Sequence, residues 1–338
     1  MTSDITLFVN PTAGRGRGAH AAQPAAQALR DAGFSVRSVL GHDADDALRR
    51  AREAVAAGTG ALVAVGGDGM ISLALQAVAG TRTPLGIIAA GTGNDFARTL
   101  GLPVRDPSAA GRVAAEILKT TGGRSIDLGR IEGGAGASGG SGPGAGRTAS
   151  TGTGEGAGTA TGTGTGRWYG TVLASGFDSR VNDRGNRMRI PAGRFKYDLA
   201  ILAELAGFRP VPYRLTLDGG HVVETDATLV AVGNGSSYGG GMRICADART
   251  DDGLLDVTVV GDCDRRTLVK VFPRVYKGTH LDHPKVTTYR VRSLTLDAPG
   301  TTGYADGEPL GPLPLTVTCV PGALRVLAPP EAPAASPR

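Results

Sequence analysis

The sequence is poor in the features that mark secreted, membrane-spanning or metal-clustered proteins. Its three cysteines, Cys245, Cys263 and Cys319, are odd in number and far apart. That excludes a disulfide framework and points to a reducing cytosol. No cysteine–histidine metal spacing occurs, and the pair His280 and His283 lacks a third ligand, so ordinary structural roles suit it. No apolar run reaches the about eighteen residues that a membrane span needs. The best stretch, 199–208, is short and holds Glu204. No charged-then-apolar leader is expected, because residues 1–4 run straight into a predicted strand. Aromatic residues are scarce at 4%, while glycine, at 54 residues, is abundant enough for turns to dominate the motifs. The formal charge of +5 is a mild basic bias. It is compatible with an anionic membrane surface or a nucleotide and diagnostic of neither, and nothing calls for a nucleic-acid partner. What is present suits a globular protein: 41% hydrophobic and 20% charged residues in 338, enough for two domains.

The densest signal lies in residues 61–103. Residues 61–65 have the length and β-branched content of a buried strand. Gly66-Gly67-Asp68-Gly69 follows, a composition that lets backbone turn sharply and approach a ligand. A helix is predicted over 71–79. A glycine turn feeding a helix N-terminus offers unpaired N–H groups and a positive dipole end to a phosphate. Asp68 within that turn would repel phosphate unless a divalent cation lay between them, a first pointer to magnesium and a nucleotide. The pattern then recurs. Residues 85–88 form a second predicted strand, Gly91-Thr92-Gly93-Asn94-Asp95 a second glycine turn, and 96–100 a short helix ended by Gly101 and Pro103. One such turn is an ordinary strand-to-helix connection; two at the same end of neighbouring strands make a ligand crevice.

The flanking chain supplies the frame. A strand at 5–9 leads into the glycine-rich loop from Asn10 to Gly18 and a helix to Asp31. A strand is predicted at 34–40, and Asp43 caps a helix over 44–57. Asp106 and Pro107 read as N-cap and first position of a helix reaching Lys119, and 125–131 is the next strand. Strands alternating with helices predict a parallel sheet covered on both faces. Asp127, among apolar neighbours in that last strand, needs a metal or an amide partner. Residues 133–166 are almost wholly Gly, Thr, Ala and Ser and read as a disordered insertion. It separates the 125–131 strand from its expected hairpin partner at 168–175. The second half is mostly short β runs, predicting an antiparallel sandwich with helices at 195–207 and 265–276. The basic stretch 179–196 reads as a solvated loop or a face for anionic lipid. The division is therefore a nucleotide domain at 1–131, the insertion at 133–166, a β-rich domain at 167–328 and a tail at 329–338. The strand near 315–328 is placed to return to the first domain.

Met70 completes the first motif, and GGDGM together with GTGNDFAR resembles the catalytic signature of the diacylglycerol kinase family. That family includes bacterial soluble lipid kinases and the sphingosine and ceramide kinases. The resemblance covers nearly the whole chain except 133–166 and the tail. It implies an α/β plus β fold. A Rossmann-like domain of the phosphofructokinase and NAD-kinase kind would be joined to a C-terminal antiparallel β-sandwich, with the active site in the cleft. It implies that Asn10, Pro11, Thr12, Ala13, Gly14, Gly66, Gly67, Gly69, Thr92 and Asn94 hold ATP. Asp68 and Asp127 would hold Mg2+ directly or through water. The segment 248–253 resembles a structural-magnesium loop, with the Asp252 carboxylate and the backbone oxygens of Arg249 and Leu254 as ligands. The junction 278–286 also matches. Asp306-Gly307-Glu308 is, as sequence, a common turn; the resemblance makes Glu308 the general base, with Asp306 and Asp68 beside it. The implied activity is Mg-dependent transfer of the γ-phosphate of ATP to a lipid hydroxyl, diacylglycerol by default. The enzyme would be cytoplasmic and peripheral on the inner face of the membrane, with a homodimer left open. The chain departs from the family at Met70, usually threonine, at Ser72 and Leu73, usually an Asn-Glu pair, and near Gly41, where a threonine is missing. Those departures leave open a lipid-binding protein on an inactive kinase scaffold. An NAD kinase shares the first glycine turn but would not be expected to show GTGNDFAR, His283-Pro284-Lys285 or the Asp-Gly-Glu turn.

Overall fold

A computed structural model describes residues 4–9, 17–133, 166–176 and 209–331. The Asn10–Gly14 loop, nearly all of the 133–166 insertion, the basic stretch 179–196, the predicted helix at 195–207 and most of the tail lie outside the described residues.

In the first domain, four strands run in parallel in the order β2 (Ser35–Leu40), β1 (Asp4–Val9), β3 (Ala61–Gly66), β4 (Leu85–Ala89). Alternation at period two sends successive side chains to opposite faces. Ile5, Leu7, Val9, Val63 and Val65 pack against α1 (Arg17–Asp31) and α5 (Pro107–Thr120). Phe8, Leu62 and Ala64 pack on the other face against α2 (Ala44–Ala56) and α3 (Asp68–Val78). The caps read from sequence form: Asp43 accepts the Asp46 N–H and Asp106 the Ala109 N–H, each at 2.8 Å. Helix α3 starts three residues before its predicted position. The N–H groups of Met70 and Ile71 donate to the Gly67 carbonyl at 3.0 and 3.1 Å, so Asp68 belongs to the helix's first turn and not to the loop before it.

The second domain is β-rich. Strand β5 (Arg124–Gly133) pairs with β6 (Arg167–Tyr169), while β7 (Val172–Gly176) pairs with β9 (His221–Gly233). The single strand predicted at 168–175 is thus broken at Gly170 and Thr171. β8 (Val211–Leu217), β10 (Leu255–Gly261), β11 (Val286–Val291) and β12 (Ser293–Asp297) complete most of the sandwich, whose core includes Leu215, Val232, Val257, Leu296 and Val317. Helix α6 (Arg265–Lys277) packs over a separate apolar cluster containing Ile244, Cys245 and Val275. The two strands predicted at 315–320 and 324–327 are one, β15 (Leu315–Val326), with a register shift between Val320 and Leu324. β15 lies antiparallel to β5 and β12 and reaches β4 in parallel through Val326 and Leu85. It is the seam that joins both domains into one continuous sheet.

Candidate active site

The two glycine turns meet at the C-terminal ends of β3 and β4. The Ala90 N–H donates to the Gly66 carbonyl at 2.8 Å. A Cβ added to Gly91 would lie 2.6 Å from the Gly67 Cα, so only glycine lets the two backbones touch. Asn94 takes φ +57, in the left-handed region, and folds over its own turn. Its Oδ1 accepts the Gly91 N–H at 2.9 Å and its Nδ2 donates to the Gly91 carbonyl at 3.1 Å. Its side chain is buried and braces the turn, while Thr92 is exposed at the tip. The Asp68 carboxylate spans the pair of turns, accepting the N–H groups of Asn94 and Asp95 at 2.9 Å each. It thereby caps the short helix α4 (Asp95–Thr99) from the neighbouring strand's turn.

Asp95 was not singled out from sequence, and it links the domains. Its buried carboxylate accepts the N–H groups of Gly240 and Gly241 at 2.9 Å each. Burial pushes its carboxyl up to about 6, opposed by those hydrogen bonds and reinforced by the Asp68 charge. The run Gly239-Gly240-Gly241, all at positive φ, is the sequence signal that could have drawn attention to the receiving loop. Gln76 makes a second link. Its side-chain amide donates to the Trp168 carbonyl at 2.7 Å and accepts the Trp168 N–H at 2.9 Å, clamping the edge of β6 to α3.

The second domain delivers a hairpin to this crevice, β13 (Thr302–Ala305) and β14 (Glu308–Pro312). Asp306 and Gly307 form its two-residue turn with φ +50 and +82, the conformation for which Asp-Gly is favoured. The Asp306 carboxylate accepts the N–H groups of Gly170 and Thr171 at 2.9 Å and the Thr171 hydroxyl at 2.5 Å. These bonds turn the backbone away from its ladder and explain the break between β6 and β7. Desolvation pushes the Asp306 carboxyl up, and the nearby Asp68 charge adds to the rise. Glu308 opens β14, and its Oε1 lies 3.2 Å from where a Cβ on Gly69 would stand. The structure therefore gathers Gly66, Gly67, Asp68, Gly69, Asn94, Asp95, Asp306 and Glu308. The Asp95 and Asp306 carboxylates both feel the Asp68 charge, a local negative field that a divalent cation would relieve. Each Asp68 oxygen keeps a second lone pair beyond its N–H bond. Asp68 thus suits an ion shared with substrate phosphates, the usual arrangement for magnesium.

Asp127 belongs to a different group. It is 4% exposed, and its oxygens accept the Gly253 N–H at 2.7 Å and the Gly322 N–H at 2.8 Å. Its own N–H donates to the Thr250 carbonyl at 2.7 Å. Its oxygens are thus amide-bonded, and like those of Asp68 each keeps a second lone pair. In the neighbouring 249–254 loop, one Asp252 oxygen accepts the Leu254 N–H at 3.1 Å and the other is paired with the Arg290 guanidinium. The Arg249 guanidinium pairs with Asp251 at 3.3 Å. As arranged, the Asp252 carboxylate, taken up by the Leu254 N–H and the Arg290 guanidinium, does not fit a metal ion. Among the described residues, no group of three or more His, Cys, Asp or Glu side chains is disposed to hold one.

Comparison with known proteins decides the family. The model of the diacylglycerol kinase catalytic domain matches residues 4–131, and that of the YegS C-terminal NAD kinase beta sandwich-like domain matches 171–328. A diacylglycerol kinase of Mycobacterium tuberculosis is 43% identical over 325 residues, covering 96% of this chain and 95% of its own. The chain belongs to the diacylglycerol kinase family. A YegS-like relative from Pseudomonas aeruginosa is 31% identical, with 98% of this chain and 97% of that one covered. The fold is shared with a diacylglycerol kinase from Bacillus anthracis, with TM-score 0.67, 21% identity and 97% of each chain covered. It is shared more loosely with yeast NADH kinase, with TM-score 0.51, 11% identity and 96% and 82% covered. Against the diacylglycerol kinase signature, Met70 is the conspicuous departure, and its side chain is 6% exposed, packed in the core with Leu75 and Phe96. Ser72 is also buried, and Leu73 packs on the same cluster. A Cβ at Gly41 would lie 2.4 Å from that of Ala47, so close packing of α2 leaves no room there for a threonine.

Proposed function

We propose that this diacylglycerol-kinase-family enzyme transfers the γ-phosphate of ATP to a lipid hydroxyl, with diacylglycerol as acceptor and phosphatidic acid as product. The observation that carries the reading is the placement of Glu308. A carboxylate from the second domain stands against Gly69, at the glycine turn where phosphates would be received. Phosphoryl transfer asks little of the protein beyond positioning, charge neutralisation and a base. Backbone N–H groups of the Gly66–Gly69 turn, with the exposed Thr92 hydroxyl, would orient the nucleotide, and the Asn10–Gly14 loop would complete its binding. Bound magnesium, held by Asp68, would neutralise the phosphate oxygens. Glu308 would take the proton of the acceptor hydroxyl as the new O–P bond forms and ADP departs. Asp306 would hold the Glu308 hairpin in register through Gly170 and Thr171, and Asp95 would hold the cleft at the correct opening. Acceptor lipid would be met at the membrane surface; among the described residues, no helix is long and apolar enough to cross a membrane. Met70 is buried, and its side chain lies against Gly66, where a Cβ would stand 2.6 Å from its own; the carboxylates Asp68 and Glu308, which the reaction needs, are in place at the turn.

The test is transfer of labelled γ-phosphate from Mg-ATP to a panel of lipids in mixed micelles, beside Glu308→Gln. One lipid should be labelled, and the variant should lose about 10²–10⁴-fold in rate with an unchanged melting temperature. Equal labelling by the variant would remove Glu308 from its role. Labelled product from NAD would replace the lipid reading.

A further inference from the structure

Arg290 stands on β11 directly opposite Asp256 on β10. Its guanidinium reaches from that partner to the 249–254 loop: Nη2 pairs with Asp252 Oδ2, and Nε lies 3.6 Å from Asp256 Oδ1. The two carboxylates are sheltered, with side-chain exposures of 19% and 13%, while the arginine is 49% exposed. Two sheltered carboxylates that share a site repel unless a cation stands between them. A guanidinium is always charged, and its planar fork can satisfy two carboxylates at once. The remaining Asp252 oxygen closes the loop on itself through the Leu254 N–H at 3.1 Å. The Gly253 N–H ties the same loop to Asp127 at 2.7 Å. The loop is therefore fastened to β5 through Asp127 and to β11 through Arg290.

We propose that Arg290 is the built-in cation of the 249–254 loop, holding Asp252 in the place that the resemblance gives to a divalent ion. The loop then keeps its order in metal-free solution. A divalent ion approaching Asp252 would meet a fixed positive charge and an occupied oxygen. This inference does not depend on the transferred group or the acceptor, and its test reads no activity.

Hydrogen exchange by mass spectrometry would be followed over residues 249–256 in the full chain, without nucleotide, in chelator and in millimolar magnesium. The wild-type loop should exchange at the same rate in both. Arg290→Gln should exchange about fivefold faster in chelator, with the core amides of β9 unchanged. Asp252→Asn, which removes the acceptor and keeps the arginine, should loosen the loop equally and covers the case in which the first variant does not fold. Wild-type protection that rises with magnesium would overturn the proposal. So would a loop that exchanges at the wild-type rate in chelator in both variants.

Discussion

Asp95 has to be buried, charged and close to a second carboxylate, and it manages this with two glycine N–H groups. Folding lifts its carboxyl from the ordinary carboxylate range to about 6. Between those values the folded chain holds a proton that the unfolded chain has lost. Its contribution is therefore fully present below the unfolded range and disappears as pH rises through about 6. The stability difference between the wild type and Asp95→Asn should shift by up to about 3 kcal/mol across that interval, measured by urea denaturation in magnesium-free buffer from pH 4 upward. A difference independent of pH would mean that Asp95 is ionised throughout. Met70 is a different kind of residue-scale case. Since its side chain fills the core beneath α3, Met70→Thr should lose about 1–3 kcal/mol through cavity and buried hydroxyl. A titration with a fluorescent ATP analogue should show no gain in affinity. Tighter binding would show that the position faces the nucleotide.

At the scale of elements, the first domain was written locally and the second was not. The caps at Asp43 and Asp106 act on N–H groups three residues away, so sequence spacing reveals them. The apolar alternation of β1 and β3 likewise reports burial on two faces. The start of α3 was misplaced because glycine argues for a loop, whereas here Gly67 is the N-cap itself. The β6–β7 break was invisible for a stronger reason. It is made by Asp306, a residue 135 positions from Thr171, and no local propensity encodes it. The same distance hides the partnership of Asp95 with Gly240, 145 positions apart. Glu308 and Asp68 were legible only because motifs marked them; the approach of Glu308 to Gly69 across the cleft is a product of the hairpin. Removing the hairpin's anchor should show this coupling. Asp306→Ala leaves two backbone donors and a hydroxyl without their acceptor, and should cost about 2–4 kcal/mol. Hydrogen exchange should rise in β7 and β14 while α5 keeps its protection. Uniform loss everywhere would deny the hairpin its local role.

For the whole molecule, the decisive element is β15, which pairs with β5 and β12 and touches β4. The two regions matched by separate family models therefore share one continuous sheet. A fragment ending at Gly133 would leave the β4 edge and all of β5 without this partner, and unpaired edges invite association. Such a fragment should be aggregated or molten by size-exclusion chromatography and near-ultraviolet circular dichroism. The full chain should unfold in one transition. A folded, monomeric fragment would show that the first domain is self-sufficient. The seam also has a consequence in time. A ribosome adds about 5–20 residues per second, so the strands made first wait on the order of ten seconds or more for the one that joins them. Through that interval the growing chain holds both glycine turns but lacks the hairpin and the closing strand. A chain broken off before β15 thus cannot close the sheet. It leaves an open sheet in which β4 and β5 lack the strand that joins them, an edge that invites association.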